Sequence, residues 1–139
     1  MKKGIAVAGN LIVDLVKTID CFPSEGMLAN ILSESKCIGG CAGNTLCDLA
    51  RIDSNLPLYC FGKIGNDDNG RYVLNILREH NIKLKNIVTS NSYTTSYTDV
   101  MLNLSNDERT FFHKRGANAE FSIDDIDLDT LDCDIFHMG

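Results

Sequence analysis

The chain has 139 residues, 13 of them Lys or Arg and 19 Asp or Glu, for a net charge of −6. That length fits one domain or a piece of a larger one, and 44% apolar with 23% charged residues is a globular composition, not that of a disordered segment or coiled coil. An acidic chain whose longest basic cluster is His113-Lys114-Arg115 lacks the footprint that phosphate neutralisation needs, so no nucleic-acid partner is expected.

Ile5 to Ala8 is a short apolar run between Gly4 and Gly9, the pattern of a buried strand. It is not a secretion signal, because its apolar run soon meets Asn10, Asp14 and Lys17. With no apolar stretch approaching the roughly 20 residues of a membrane span, neither secretion nor membrane insertion is expected, and a cytoplasmic location is. Leu28 to Ile38 mixes apolar and polar residues and reads as one or two exposed strands, interrupted at Gly39-Gly40. From about Ala42 the period turns helical, with Ala42, Leu46, Leu49 and Ala50 on one face. Leu58 to Ile64 is a second buried strand, and Gly65 to Gly70 is turn and cap chemistry before a second helix with Val73, Leu74 and Leu77 inward.

Around Ile82 to Val88 a short strand is the most the pattern supports. Period two then takes over: Thr98, Val100, Leu102 and Leu104 alternate with Tyr97, Asp99, Met101 and Asn103. A turn at Ser105 to Glu108 and a return over Arg109 to Lys114 complete a β-hairpin. Ser122 with Asp125 opens a short helix through Leu131 in capping-box style, and Asp134 to Met138 reads as a strand. Strand–helix–strand–helix order implies an α/β, Rossmann-like, doubly wound and largely parallel sheet. The hairpin and the Leu28–Ile38 segment break that rhythm and are expected to form a separate small sheet. The chain stops just after a core-like strand, where such a sheet normally continues. Either a partner covers that flank or the chain is part of something longer.

Six cysteines without a Cys-x-x-Cys pair suit neither a disulfide scaffold nor a zinc site; they are expected to be reduced and mostly buried. Three groups carry candidate chemistry. Gly39-Gly40 leads into a helix whose free N–H groups and partial positive charge, with the amide of Asn44 in the first turn, suit a polyhydroxylated molecule or an anion. Asp14 lies shortly past the end of the first strand, where ligands of open α/β sheets bind, and its carboxylate can accept two hydrogen bonds from adjacent hydroxyls. On the hairpin Tyr97, Asp99 and Met101 share one face, which His113 is expected to join from the return strand. The glycine segment is neither a dinucleotide fingerprint nor a P-loop, and no metal site is read.

Taken in order, these pieces resemble the N-terminal part of the ribokinase/PfkB family of carbohydrate kinases. Gly9-Asn10-Leu11-Ile12-Val13-Asp14 resembles the family's opening strand with its sugar-binding Asp, and Phe22-Pro23-Ser24-Glu25-Gly26 the turn into the lid. Gly39-Gly40-x-x-x-Asn44 with Ala50 resembles the first signature, continued by Gly62 to Gly70, and Arg115-Gly116-Ala117-Asn118-Ala119 the segment leaving the lid. The resemblance implies a ribokinase-like domain of which residues 1–139 are the N-terminal part, with a small β-sheet lid built from about 15–38 and 95–115 and the C-terminal nucleotide-binding half absent. It implies transfer of the ATP γ-phosphate to a hydroxyl of a small sugar or nucleoside, with Mg2+. Asp14, Gly39, Gly40 and Asn44 would hold the acceptor, with Asp99, Met101 and His113 closing over it from the lid. It also implies a homodimer through the lid. The family's later Gly-Ala-Gly-Asp segment, which supplies the catalytic base, has no counterpart in these residues. No catalytic residue is therefore assigned, the residues binding ATP and Mg2+ are not in this chain, and the chain is expected to be a catalytically incomplete fragment. The alternative is a non-catalytic sugar-binding or interaction module on the same scaffold.

Overall fold

A computed structural model describes residues 3–127 and 131–139. Two four-stranded sheets share the chain. The core sheet has the order β5-β4-β1-β8, built from β1 (Ile5–Ala8), β4 (Leu58–Gly65), β5 (Ile87–Ser90) and β8 (Ile135–Met138), and every pairing in it is parallel. The second sheet has the order β3-β2-β6-β7, from β2 (Ile12–Ile19), β3 (Ile31–Gly39), β6 (Tyr97–Asn103) and β7 (Glu108–Lys114). In it β2 runs parallel to β6 and antiparallel to β3, and β6 and β7 form the hairpin.

The helices α1 (Cys41–Ile52) and α2 (Asp68–Glu79) pack on one side of the core sheet. They form because their apolar residues recur at helical spacing: Ala42, Leu46, Cys47 and Ala50 from α1 and Val73 and Leu77 from α2 meet Val7, Leu11, Leu58, Cys60 and Ile64 in one buried cluster. On the other side Ala6, Ala8 and Phe61 are covered by Ile126, with Phe121, Leu131 and Cys133. A partly buried ion pair, Lys63 Nζ to Asp125 at 3.0 Å, fastens the 122–126 turn to β4 there. Side chains of β8 stay open: Ile135 and Met138 are more than half exposed, and Phe136 meets Phe61 edge to face at 6.0 Å.

Four departures from the sequence reading have physical causes. The strand β2 was not visible as a strand, since Ile12, Val13, Leu15, Val16 and Ile19 do not alternate. The exposed strand begins at Ile31 and not at Leu28, because the segment before it is a turn closed by the Met27 N–H donating to the Ser24 carbonyl at 2.9 Å. At Ser122 the capping box exists, but it opens only a short 3-10 turn, Ile123–Asp125, after which Ile126 is extended; the rest of the expected helix includes residues outside the described ones. Of the six free cysteines only Cys47 and Cys60 are buried, in the main cluster, where loss of water pushes both thiols up in pKa.

Where β5 passes into β6, Asp67 joins the two sheets. It is the N-cap of α2, accepting from the Gly70 N–H at 2.8 Å, and it also accepts from the Thr95 hydroxyl at 2.7 Å and the Thr95 N–H at 2.8 Å. Burial opposes its charge, yet these hydrogen bonds from Thr95 and Gly70 outweigh it and hold the carboxyl below its ordinary pKa.

Candidate functional site

The chain leaves the core sheet at Gly9 and enters the second sheet at Ile12, which brings Asp14 to the carboxyl end of β1. Strand pleating then decides its neighbours. Asp14 is opposite Cys37 on β3 and Thr98 on β6, and Thr98 is opposite His113 on β7, so all four side chains share one face. Thr98 Oγ1 and His113 Nδ1 are hydrogen-bonded at 2.9 Å.

Gly39 is on the same face, and its lack of a side chain matters. A Cβ there would sit 2.3 Å from Asp14 Oδ2 and 2.7 Å from its Cγ. The carboxylate therefore lies directly over the Gly39 backbone, as the chain turns into α1. Gly40, the N-cap of α1, has φ 84° and ψ 156°, a region essentially reserved for glycine. A Cβ on it would meet the Asn10 carbonyl oxygen at 2.3 Å. No side chain caps α1; in its first turn the Ala42 N–H donates to the Asn10 carbonyl at 3.3 Å, and the helix start carries its partial positive charge at this end of the sheet. Asn44 lies one turn along, exposed, above Gly40 and Cys41 on the same side of the helix.

Burial raises the pKa of Asp14, opposed by the Thr98 hydroxyl and the nearby His113 ring. A carboxyl raised by lost water is a carboxylate short of donors, and adjacent alcohol groups supply what it lacks. The arrangement is suited to holding a polyhydroxylated molecule: an acceptor of hydrogen bonds in Asp14, open backbone at Gly39-Gly40, donors at the helix start, and an amide at Asn44.

The structure brings Asp14, Gly39 and Gly40 together with Asn44 on the adjoining first turn of α1. It separates the three lid candidates. His113 does not join Tyr97, Asp99 and Met101; it is across from Thr98, because the hairpin pairs Asn103 with Glu108 and that register puts His113 on the even-numbered face of β6. Asp99 and Met101 are on the opposite face from Asp14. There Asp99 is ion-paired with Lys17, and Met101 lines a shallow apolar groove with Ile19, Phe22, Ile31 and Phe112. Thr98, which links Asp14 to His113, was missed by the sequence reading; the hairpin register is the signal that finds it. Among the described residues no group of three or more His, Cys, Asp or Glu is arranged to hold a metal, and no helix is long and apolar enough to cross a membrane.

The sequence pattern of the pfkB family carbohydrate kinases matches residues 2–137. A 5-dehydro-2-deoxygluconokinase from Mesomycoplasma hyopneumoniae is 31% identical over 118 residues, covering 82% of this chain and 34% of that protein. Fructokinase-2 of Zea mays is 28% identical over 94% of this chain and 40% of its own length. Among solved structures, a ribokinase from Thermotoga maritima superposes with a TM-score of 0.85 at 24% identity, over 96% of this chain and 43% of that one, which establishes the fold. The chain thus spans about a third to two-fifths of the length of these relatives.

Proposed function

The chain belongs to the pfkB family of carbohydrate kinases, and from that membership we propose that these 139 residues are the acceptor-binding part of a kinase that moves the γ-phosphate of ATP to a hydroxyl of a small sugar or nucleoside. The observation that carries the reading is the Asp14 carboxylate lying over Gly39 beside a helix start that no side chain caps. In this reading Asp14 accepts hydrogen bonds from two neighbouring alcohol groups of the acceptor. The Gly39-Gly40 backbone lets the acceptor approach closely, and Asn44 fixes its orientation. His113, tied to Thr98, closes the site from the lid. Such closure keeps water from the phosphate.

The described residues offer no cluster for Mg2+, and the sequence has no Gly-Ala-Gly-Asp segment. On the family reading, nucleotide, Mg2+ and catalytic base belong to the part of the relatives that these residues do not span, and no step is derived through them. Six free cysteines and the use of ATP suit the reducing cytoplasm. The apolar face of the lid around Met101 and Phe112, the latter 53% exposed, supports a homodimer in which a second copy covers it.

One preparation tests both parts. A protein containing these residues together with a Gly-Ala-Gly-Asp segment is expected to convert ATP and a sugar such as D-fructose or D-ribose, or a nucleoside, into ADP and the phosphorylated acceptor, and to sediment as a dimer. The 139 residues alone are expected to phosphorylate nothing. Turnover by the 139 residues, or none by the longer protein across a sugar and nucleoside panel, contradicts the reading. A monomer at every concentration removes the dimer.

A further inference from the structure

The chain crosses between the two sheets four times: out at Asn10–Leu11, back at Gly39–Gly40, out at Thr94–Ser96, and back at Arg115–Asn118. Asn118, buried in the last of these crossings, reaches the first through its side-chain amide and the third through its backbone N–H. The Asn118 amide pairs with the backbone of Leu11 in both directions: its Oδ1 accepts from the Leu11 N–H at 3.3 Å, and its Nδ2 donates to the Leu11 carbonyl at 3.1 Å. The Asn118 N–H donates to Ser96 Oγ at 3.2 Å, and that hydroxyl donates to the Arg115 carbonyl. The Ser96 carbonyl in turn accepts from the Val13 N–H at 3.0 Å. Asn118 is 6% exposed and Leu11 fully buried, its side chain held against Gly62 in the core.

Leu11 is thus the last residue anchored in the core before β2, and Val13 is the next one fixed. Asp14 follows immediately. We propose that Asn118 is a positioning residue for the acceptor site: by clamping the Leu11 N–H and carbonyl with its side-chain amide, it sets where Asp14 stands over Gly39. A buried asparagine serving only its own satisfaction would need any donor and acceptor; this one takes both from the backbone of a single residue, three before the carboxylate. The inference rests on the proposed role of Asp14 for its functional meaning, but its geometry does not.

The test therefore reads Asp14 and not the sugar. Carboxyl 13C titration of the protein is expected to show Asp14 above the ordinary range. In Asn118→Ala, with the fold retained, the Asp14 titration is expected to fall back toward the ordinary value as the carboxylate swings into water. In Asn118→Asp, which keeps the acceptor for the Leu11 N–H but sets an oxygen against the Leu11 carbonyl, it is expected to move in the same direction. Lys63→Met, which breaks the partly buried pair on the far side of the core sheet, is expected to lower the unfolding midpoint without moving Asp14. An Asp14 titration unchanged in a folded Asn118 variant overturns the proposal. Should the variants not fold, hydrogen exchange of the unsubstituted protein decides. The Leu11 amide is expected to exchange as slowly as those of β1 and β4; exchange at the rate of the exposed lid strands overturns it. Failure of sugar binding with these results intact would remove the proposed function and leave the clamp standing.

Discussion

Replacing Asp14 by Ala is expected to weaken binding of the sugar acceptor by about 2–3 kcal/mol, roughly 30- to 150-fold, the cost of losing a charged hydrogen-bond partner. The fold should survive, because Asp14 is half-buried and its removal strands no buried donor: Thr98 keeps His113 as its partner. Removing a carboxyl whose pKa is raised also removes a small penalty on the folded state. That penalty exists above the raised pKa, where the group must ionise in a poorly hydrated place, and vanishes as pH falls through it. Stability at neutral pH should therefore stay level or rise slightly while affinity drops. Calorimetric titration with the acceptor, paired with denaturant unfolding, reads the two quantities separately. Equal affinity of the Ala variant removes Asp14 from the site.

The paired glycines should divide in their effects. A methyl group on Gly39 collides with the tip of the Asp14 side chain, which can rotate away. Gly39→Ala is thus expected to cost little stability yet lose affinity by about as much as Asp14→Ala, within the same roughly 2–3 kcal/mol. A methyl group on Gly40 collides with backbone, the Asn10 carbonyl, and forces a side chain into a dihedral region that only glycine visits. Gly40→Ala is expected to destabilise the fold by about 1–3 kcal/mol from strain alone, with the clash in addition. Urea unfolding and acceptor titration of both variants check this. Two glycines with the same phenotype would mean that the carboxylate does not rest on Gly39 as described.

Legibility in the sequence followed burial. The strands β1 and β4 are covered on both faces, so they appear as apolar runs, interrupted in β4 only by the Gly62-Lys63 pair, and α1 and α2 bury one stripe each, so their period shows. The strand β2 has no such signature. Val13 and Leu15 turn toward the core side while Val16 shares the face of Asp14, and the mixture hides the pleat. The placement of Asp14 is readable anyway, from its position after β1, and that of Gly39, Gly40 and Asn44 from the break before a helix. The face of His113 was not legible, because parity across a hairpin depends on the residue count of the turn. A loop of one residue more or fewer would set His113 beside Asp99, as first expected. Asn118 stands in a recognisable segment, but that its amide reaches Leu11 is a contact between residues 107 apart, which no local pattern displays.

The central claim is that Asp14, the Gly39-Gly40 turn and Asn44 form one surface that recognises alcohol groups of a carbohydrate. Titrating D-fructose and D-ribose into 15N-labelled protein and following the backbone amides tests it most directly. Saturable shifts concentrated at Asp14, Gly39, Gly40, Asn44 and Thr98, and absent from the Asp14→Ala variant, are the result the claim requires. Shifts confined to the opposite lid face around Asp99 and Met101, or to no common surface at all, would contradict it.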